Sequence, residues 1–363
     1  MPRIVYMFRG GRAELLSRIA AGVAPREFLY GYDAFAEAGW EVSFAEAAPG
    51  DSRWVRPLMR PLQNAVSKYL ATSFAASNVV VHWDKIRKAD VILSTTDGNT
   101  FPLAVLKQMG GLHARLMAIT QGIYDSRRKL EGKILGRKRL ETLGGLMRNI
   151  SQLVVLGIGD EEAVRAHFGE FGLPPMEIVQ FGADEVFWHP ENVPPADSIL
   201  SVGSDHLRDF PTLLKAVPDL PLRLVTRIKL PRELVGPRVT ADGNIDDIAL
   251  RRLYQESRFV VVPIKNERRD SGHSVTAQAM ACGKAVIVSD TPGLWDREFL
   301  RDGETCRLVP PENPEALRRV ILELWNDPAQ AERIGRNARR LIEERWTSGH
   351  FGRHLVRLAN SLL

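Results

Sequence analysis

Short β-branched runs that alternate with helical patterns are the feature that most restricts the fold of this chain. Six such runs occupy the second half: SILSVG at 198–203, LRLVTR at 222–227, RVTADG at 238–243, FVVVPI at 259–264, KAVIVSD at 284–290 and RLVP at 307–310. Helical patterns lie between or after them, at 209–217, 246–257 and 313–325. This alternation predicts βαβ units in a parallel sheet, and continuously apolar strands predict that helices cover both of its faces.

The first half repeats the pattern less regularly. Strand-like runs lie at 3–8, 41–46, 90–96, 116–122, 153–158 and 177–182. The segment 26–39 is predicted to be a helix that ends at Gly39, whereas no element is assigned within 47–80. The chain is therefore predicted to be an α/β protein with two doubly wound, Rossmann-like domains.

A proline-rich polar segment at 187–198 is the best candidate for a linker between these domains. Its position predicts a first domain over 1–190 and a second over 191–346. A Ser-Gly break opens the last segment, 347–363, which is predicted to be a helix that packs back on the first domain. The length of 363 residues suits two such domains.

The composition argues against several classes of protein. The formal net charge is +5, with 49 basic and 44 acidic residues, which suits anionic ligands without indicating a dedicated nucleic-acid binder. The two cysteines, Cys282 and Cys306, cannot form a disulfide framework. No apolar run reaches the ~18 residues of a membrane span, and the N-terminus lacks the pattern of a signal peptide. These features predict a cytoplasmic protein, with peripheral contact to a membrane left open.

The stretch DSGHSVTAQAMACGKAVIVSD at 270–290 is the expected ligand site. The strand 259–264 ends just before it, and doubly wound sheets bind ligands at the carboxyl ends of their strands. Ser271 is predicted to cap the helix that follows, and Asp270 precedes it as an acceptor for hydroxyl groups. The amides expected to bind an anion at the helix start belong to Gly272, His273 and Ser274. The alternative explanation is an ordinary crossover with a polar loop.

Three segments carry a resemblance to a known family. SGHSVTAQAMACGKAVIVSDTPGLWDREFLRDGETCRLVPPENPEAL, at 271–317, resembles the donor-domain signature of the retaining GT-B glycosyltransferases of family four. ILSVGSDHLRDFPTLLKA, at 199–216, is similar to the first donor-domain strand of that family with its phosphate-binding turn. MEIVQFGADEVFWHP, at 176–190, is similar to the end of its acceptor domain. The resemblance is good over about 150–345 and rests on pattern alone before that.

The resemblance implies a GT-B fold, in which the two domains face a central cleft. It further implies transfer of a sugar from a nucleotide-diphospho-sugar to an acceptor hydroxyl with retention of configuration. No cofactor and no essential metal are expected. The acceptor is unidentified, with a lipid-linked or glycan hydroxyl as the expected kind, within polysaccharide or glycoconjugate biosynthesis.

The acidic pair of the family signature is altered here. Its positions hold Asp270, expected to bind hydroxyls of the donor sugar, and Gln278, expected to bind those of the ribose. A glutamine still forms hydrogen bonds but lacks the charge that strengthens them. If Gln278 faces the ribose, its replacement by glutamate is expected to be tolerated.

The cations expected at the donor diphosphate are also altered. Arg208 stands where the family has a lysine, and Ser204 stands where it has an arginine. Arg227 and Lys265 lie at strand ends and are candidates for the second cation, although both are equally well explained as solvated surface residues.

The first half offers weaker candidates. Gly10 and Gly11 follow the first strand, where the family brings its backbone close to the donor phosphate or the acceptor. Asp97 is expected at a strand end as a catalytic carboxylate, or else as a turn-former with Gly98. Gln121 stands where the family often has a histidine that binds the donor sugar, and it keeps a hydrogen-bond donor there.

Two segments of the first half are strongly basic. The segment 126–148 has eight cations and two acids, and 53–70 is basic and contains Trp54 and Tyr69. Such a surface suits an anionic membrane or a lipid-phosphate acceptor. The alternative is a solvated helix whose inner stripe packs on its own sheet.

Two other functions fit the same fold. One is a GT-B nucleotide-sugar epimerase, which needs no acceptor. The other is a catalytically degenerate protein that only binds a nucleotide sugar, for which the changes at Ser204 and Gln278 leave room.

Overall fold

The structure, a computed structural model, describes residues 1–47, 54–120, 122–194 and 196–363, apart from the side chain of Tyr124. Within these residues, twelve strands form two six-stranded sheets, and every pair of neighbouring strands runs parallel. Each of the twelve predicted strand segments is present. The chain therefore has two doubly wound sheets, as its sequence predicts.

The first sheet has the strand order β2-β1-β3-β4-β5-β6. Its strands are β1 (Arg3–Met7), β2 (Glu41–Ala45), β3 (Val91–Ser94), β4 (Arg115–Ile119), β5 (Gln152–Val155) and β6 (Met176–Ile178). The helices around it are α1 (Arg12–Ala20), α2 (Tyr32–Glu37), α3 (Val55–Leu70), α4 (Ala76–Val81), α5 (Trp83–Ile86), α6 (Asp97–Gln108), α7 (Tyr124–Leu130), α8 (Gly136–Met147) and α9 (Ile158–Phe168).

The second sheet has the order β12-β11-β10-β7-β8-β9. Its strands are β7 (Ile199–Val202), β8 (Leu222–Val225), β9 (Val239–Asp242), β10 (Val260–Val262), β11 (Val286–Ser289) and β12 (Arg307–Val309). The remaining helices are α10 (Phe210–Ala216), α11 (Asp247–Glu256), α12 (His273–Ala281), α13 (Pro314–Asn326), α14 (Pro328–Arg345) and α15 (Ser348–Asn360).

Both sheets are covered on their two faces. The central strands β3, β5, β7, β10 and β11 are buried at every position, as their unbroken apolar runs predict. In each sheet the direction in which the chain adds successive strands reverses once. The reversal lies between β1 and β3 in the first sheet and between β7 and β10 in the second. These reversals are the places where doubly wound sheets leave a crevice for ligands.

The predicted helix 26–39 is wrong as a single element. It is broken into a short 3-10 turn, Glu27–Leu29, and α2, because Tyr30 and Gly31 both have left-handed backbone conformations. A Cβ atom on Gly31 would lie 2.5 Å from the Cα atom of Gly352. Close packing against the last helix therefore determines the break.

The last helix, α15, packs on α2 beside the first sheet. Its Phe351 and Leu355 share a buried cluster with Tyr30, Phe35 and Phe181. The chain passes between the sheets twice, and the two passages are hydrogen-bonded, since Ala183 N donates to Trp346 O (2.9 Å) and Ser348 N donates to Ala183 O (2.7 Å).

The proline-rich segment 187–198 is not uniformly exposed. Its first residues, Phe187 and Trp188, are buried in the core of the second sheet beside Tyr254. Among the described residues, no helix has the length and apolar character needed to cross a bilayer.

Candidate active site

A cavity of about 230 Å³ is lined by both halves of the chain. The second half contributes Asp205, which follows β7, and the segment 269–274, which leads from β10 into α12. The first half contributes an apolar and aromatic wall and one carboxylate: Phe28, Tyr30, Leu156, Phe181 and Asp160. The cavity therefore lies at the point where the second sheet reverses, where ligands of such sheets bind.

The start of α12 differs in one detail from the sequence prediction. The N-cap is Gly272, with a φ of 82°, rather than Ser271. A Cβ atom on Gly272 would lie 2.7 Å from both Arg208 Nη1 and Val262 Cγ1, so glycine is required for backbone conformation and for space. Ser271 is left with a buried Oγ that has no hydrogen-bond partner among the described residues.

Arg208 is a buried cation beside the start of α12. It is 5% exposed, and its Nε and Nη1 have no hydrogen-bond partner in the described part of the chain. A Cβ atom on Gly203 would lie 2.1 Å from Nε, so Gly203 after β7 and Gly272 at the N-cap of α12 make room for the guanidinium. Burial lowers the pKa of Arg208, an effect that Asp205, Tyr254 and Asp270 oppose. The buried guanidinium thus keeps hydrogen-bonding capacity that the described residues do not use, although Asp205 and Asp270 favour its charge.

Asp270 and His273 form a pair at the cavity wall. Asp270 Oδ2 lies 3.3 Å from His273 Nδ1, while the buried Oδ1 and His273 Nε2 have no partner among the described residues. The imidazole stacks on the indole of Trp295, with ring centroids 3.8 Å apart and 12° between the planes. The backbone amide of Asp270 donates to Asp160 Oδ1 at 3.2 Å. The stacking and the amide bond fix the positions of His273 and Asp270. Each keeps one polar atom without a hydrogen-bond partner among the described residues.

Gln278 has a different environment from the one its motif position implies. Its Nε2 donates to Glu27 Oε1 at 3.0 Å, and its Oε1 accepts from the Tyr254 hydroxyl at 3.3 Å. Gln278 is buried and does not line the cavity. Glu27 also accepts from Trp188 Nε1 (2.8 Å) and Asp184 N (3.2 Å). The side chain is therefore placed in a polar cluster between the two halves, away from the cavity.

Glu27 is the ionisable member of this cluster. It is 2% exposed, and burial raises its pKa from 4.5 to about 7, against the lowering effect of its bonds to Gln278 and Trp188. Glu27 thus accepts a hydrogen bond from the side-chain amide of Gln278, which lies 251 positions away along the chain. No sequence signal points to Glu27, which lies outside every motif.

Asp97 opens α6 at the place where the first sheet reverses. Its Oδ1 accepts from the Thr120 hydroxyl at 3.1 Å. Burial raises the pKa of Asp97 to about 6, while the positive charge of Arg269 opposes the rise. Arg269 comes from the second half and pairs with Asp125 at 3.5 Å, which links the two walls. Gln121 lies outside the described residues.

Gly10 and Gly11 lie at the start of α1, beside an internal carboxylate. Both have positive φ, and Gly11 is the N-cap. The next two amides, of Arg12 and Ala13, donate to the two carboxylate oxygens of Glu46 at 2.5 and 3.2 Å. The anion-binding end of α1 is therefore occupied by Glu46 in this structure.

The three remaining candidates are exposed and engaged with backbone. Ser204 Oγ accepts from the Arg227 amide at 2.9 Å, and Lys265 Nζ donates to His206 O at 2.9 Å. The side chains of Arg227 and Lys265 make no ion pair among the described residues. The structure thus brings together Arg208 and the segment 270–274 and leaves these three at the rim of β7, β8 and β10.

Two doubly wound parallel sheets with a cavity between them define the class of fold. Comparison with solved structures identifies it as the GT-B glycosyltransferase fold. Sucrose-phosphate synthase from Thermosynechococcus elongatus has a TM-score of 0.74, with 19% identity over 100% of this chain and 99% of that one. Anabaena HepE, solved with UDP and glucose, has a TM-score of 0.65, with 15% identity over 99% and 100%. Identities this low show the fold alone, and the predicted GT-B fold is confirmed.

Sequence comparisons find a family model and relatives that each match part of the chain. Residues 204–327 match the family model of the Glycosyl transferases group 1. The MMP α-(1→4)-mannosyltransferase of Mycolicibacterium hassiacum is 27% identical over 194 residues, which are 48% of this chain and 46% of that protein. The D-rhamnosyltransferase WbpZ of Pseudomonas aeruginosa is 35% identical over 106 residues, 29% of this chain and 27% of that protein. The predicted resemblance is confirmed, although the chain spans half or less of these relatives.

Proposed function

We propose that this protein is a glycosyltransferase that moves a sugar from a nucleotide-diphospho-sugar to an acceptor hydroxyl, with retention of configuration and without a metal ion. The observation that carries the proposal is the buried Arg208 guanidinium, whose Nε and Nη1 have no hydrogen-bond partner among the described residues and which lies beside the first amides of α12. A diphosphate supplies the anion that this arrangement lacks. The group 1 match over 204–327 covers the same segment, and both curated relatives are named as glycosyltransferases.

The second half, 191–346, is proposed to hold the donor. Its diphosphate lies between Arg208 and the amides of Gly272, His273 and Ser274, where the helix dipole favours negative charge. The donor sugar lies against Asp270, whose free Oδ1 accepts from a sugar hydroxyl. The first half, 1–190 with α15, is proposed to hold the acceptor against the aromatic wall of the cavity.

Catalysis in this proposal is electrostatic. The acceptor hydroxyl oxygen forms a bond to the anomeric carbon while the bond from that carbon to the diphosphate oxygen breaks on the same face. The proton of the hydroxyl passes to the departing phosphate oxygen. Arg208 and the amides of α12 stabilise the charge that develops on the leaving group, so no protein nucleophile is required.

A donor screen tests the proposal directly. Thermal unfolding is measured with UDP-, GDP-, ADP- and TDP-sugars, and one of them at about 100 times its dissociation constant is expected to add about 2.7 kcal/mol to the free energy of unfolding. With the active donor, the anomeric configuration of the product is determined by NMR, with and without a chelator. Inversion, or loss of activity with the chelator, contradicts the respective part of the proposal, and no stabilisation by any nucleotide contradicts all of it.

Asp270→Asn is expected to lower kcat/KM for the sugar donor by about 10- to 100-fold, because a hydrogen bond to a charged acceptor contributes about 1.5–3 kcal/mol. The affinity for the free nucleoside diphosphate, measured by calorimetry, is expected to stay nearly unchanged. Asp290→Asn is the control, since Asp290 pairs with Arg297 at 2.7 Å and does not line the cavity. An equal loss of affinity for the free diphosphate indicates that Asp270 acts through the loop and not on the sugar.

A further inference from the structure

An exposed apolar stripe runs along the N-terminal part of α3. Trp54, at its N-cap, is 80% exposed, Leu58 is 82% exposed and Leu62 is 56% exposed. A spacing of four residues places these side chains on one face of the helix. Val66 and Leu70 continue this spacing, but each step of four residues turns the stripe by about 40°, so they reach the core of the first sheet while the N-terminal part of the stripe stays exposed. Large apolar side chains in this number are unusual on a solvated helix face.

A second apolar projection precedes α8. The basic segment 126–148 is not a single helix, because the chain turns between α7 and α8. Leu130 and Leu140 are buried, whereas Ile134 is 91% exposed and Leu135 projects beside it. Leu135 has a φ of 60°, a left-handed conformation that is unfavourable for leucine. The turn thus presents two large apolar side chains at a local cost in backbone energy.

The two features belong to one continuous surface. Arg139, in the first turn of α8, donates through Nε to the carbonyl oxygen of Tyr69 at 2.5 Å. Its guanidinium also lies over the Tyr69 ring, 5.5 Å from the centroid, and the Tyr69 hydroxyl lies 3.4 Å from Thr142 Oγ1. The C-terminal end of α3 is therefore fixed to the N-terminal end of α8. Residues 54–69 and 133–139 are called the basic apolar surface below.

The two segments that contain this surface are strongly basic. Residues 54–83 contain three cations and no acidic residue, and 126–148 contain eight cations and two acids. The positive excess of these two segments exceeds the +5 of the whole chain, so the remainder is net negative. Among the described residues, the following cations make no ion pair: Arg56, Arg60, Lys68, Lys133 and Lys138.

We propose that the basic apolar surface binds the headgroup region of an anionic lipid bilayer, with α3 lying along the membrane. Unpaired cations are attracted to anionic headgroups, and the side chains of Trp54, Leu58 and Ile134 enter the boundary between headgroups and acyl chains. A soluble polyanion satisfies the cations but leaves these apolar side chains in water. The bilayer is the partner that matches both properties. This proposal does not depend on the sugar-transfer reaction.

Sedimentation with vesicles tests the proposal. The protein is expected to pellet with vesicles of phosphatidylcholine and phosphatidylglycerol in equal parts, and not with phosphatidylcholine alone, and added salt is expected to release it. The charge variant Arg56→Glu/Arg60→Glu/Lys138→Glu is expected to bind the anionic vesicles at least about tenfold more weakly. The unaltered protein is also expected to bind a heparin column until added salt releases it. The charge variant is expected to lose this retention.

The apolar variant Trp54→Ser/Leu58→Ser separates a membrane from a soluble polyanion. It is expected to bind anionic vesicles about tenfold more weakly and to keep its retention on heparin. Met109→Ser, which changes an exposed side chain at the end of α6, is the control and is expected to bind vesicles as the unaltered protein does. Unchanged vesicle binding by the apolar variant, equal binding to neutral and anionic vesicles, or binding to neither would overturn the proposal.

Discussion

Replacing Arg208 by methionine is expected to make the ligand-free protein more stable while it weakens nucleotide binding about tenfold or more. The guanidinium is buried, and no acidic side chain or carbonyl among the described residues takes its Nε or Nη1. Asp205 and Asp270 compensate this buried charge only in part, so its removal is expected to add roughly 1–3 kcal/mol to the free energy of unfolding. The same change removes the cation that the donor diphosphate is proposed to meet, so stability and affinity are expected to move in opposite directions.

A matched variant distinguishes this from an ordinary arginine effect. Arg339 is also largely buried in the second half, but its Nη1 donates to the carbonyl oxygens of Glu185, Trp188 and Ala281. Arg339→Met is therefore expected to lower the free energy of unfolding and to leave nucleotide affinity unchanged. Both variants are measured by urea denaturation and by calorimetry with the free nucleotide. If Arg208→Met behaves like Arg339→Met, the guanidinium supports the fold rather than the ligand.

The sheets could be predicted from the sequence because their signal is local. A run such as FVVVPI has apolar residues at successive positions, and a turn-rich segment follows it, so the position of β10 needs no knowledge of its neighbours. The break at Tyr30 and Gly31 could not be predicted in this way. It depends on Gly352, more than 300 residues further along the chain, and a tertiary contact overrides the helical pattern of 26–39.

The same distinction applies to the candidate site. Arg208 and the segment 270–274 were predicted from strand ends and a helix start, which are local features, and the structure places them together. Trp295, which stacks on His273, and Glu27, which bonds to Gln278, were missed. Glu27 lies outside every motif, and Trp295 lies within the segment 271–317 without a role predicted for it, so the contact of each depends on folding. A motif can therefore assign a position to a site without determining which neighbour its side chain will contact.

Gln278→Glu is expected to destabilise the protein strongly, although the motif alone predicts that this change is tolerated. Gln278 Nε2 lies 3.0 Å from Glu27 Oε1, so the new carboxylate would face a buried carboxylate. Two carboxylates at this distance cannot both be ionised, and the expected loss at pH 8 is about 3–5 kcal/mol. The double variant Glu27→Gln/Gln278→Glu exchanges the two groups, leaves one carboxylate, and is expected to recover about 2–3 kcal/mol of that loss.

The pH dependence of stability provides the second test of this cluster. The native pKa of Glu27 is raised from 4.5 to about 7, so the folded protein binds this proton more tightly than the unfolded chain does. The stability that the proton contributes is fully present below pH 4.5 and is lost as the pH rises through 7. In Gln278→Glu the second carboxylate raises the affinity for the shared proton, so the loss of stability is expected to be larger and to continue above pH 7.

Urea denaturation between pH 5 and pH 8 measures the free energy of unfolding of both proteins. The pH dependence of the double variant is expected to lie near that of the unaltered protein. Unchanged stability of Gln278→Glu at pH 8, together with altered donor affinity, would instead place the side chain of residue 278 at the ribose.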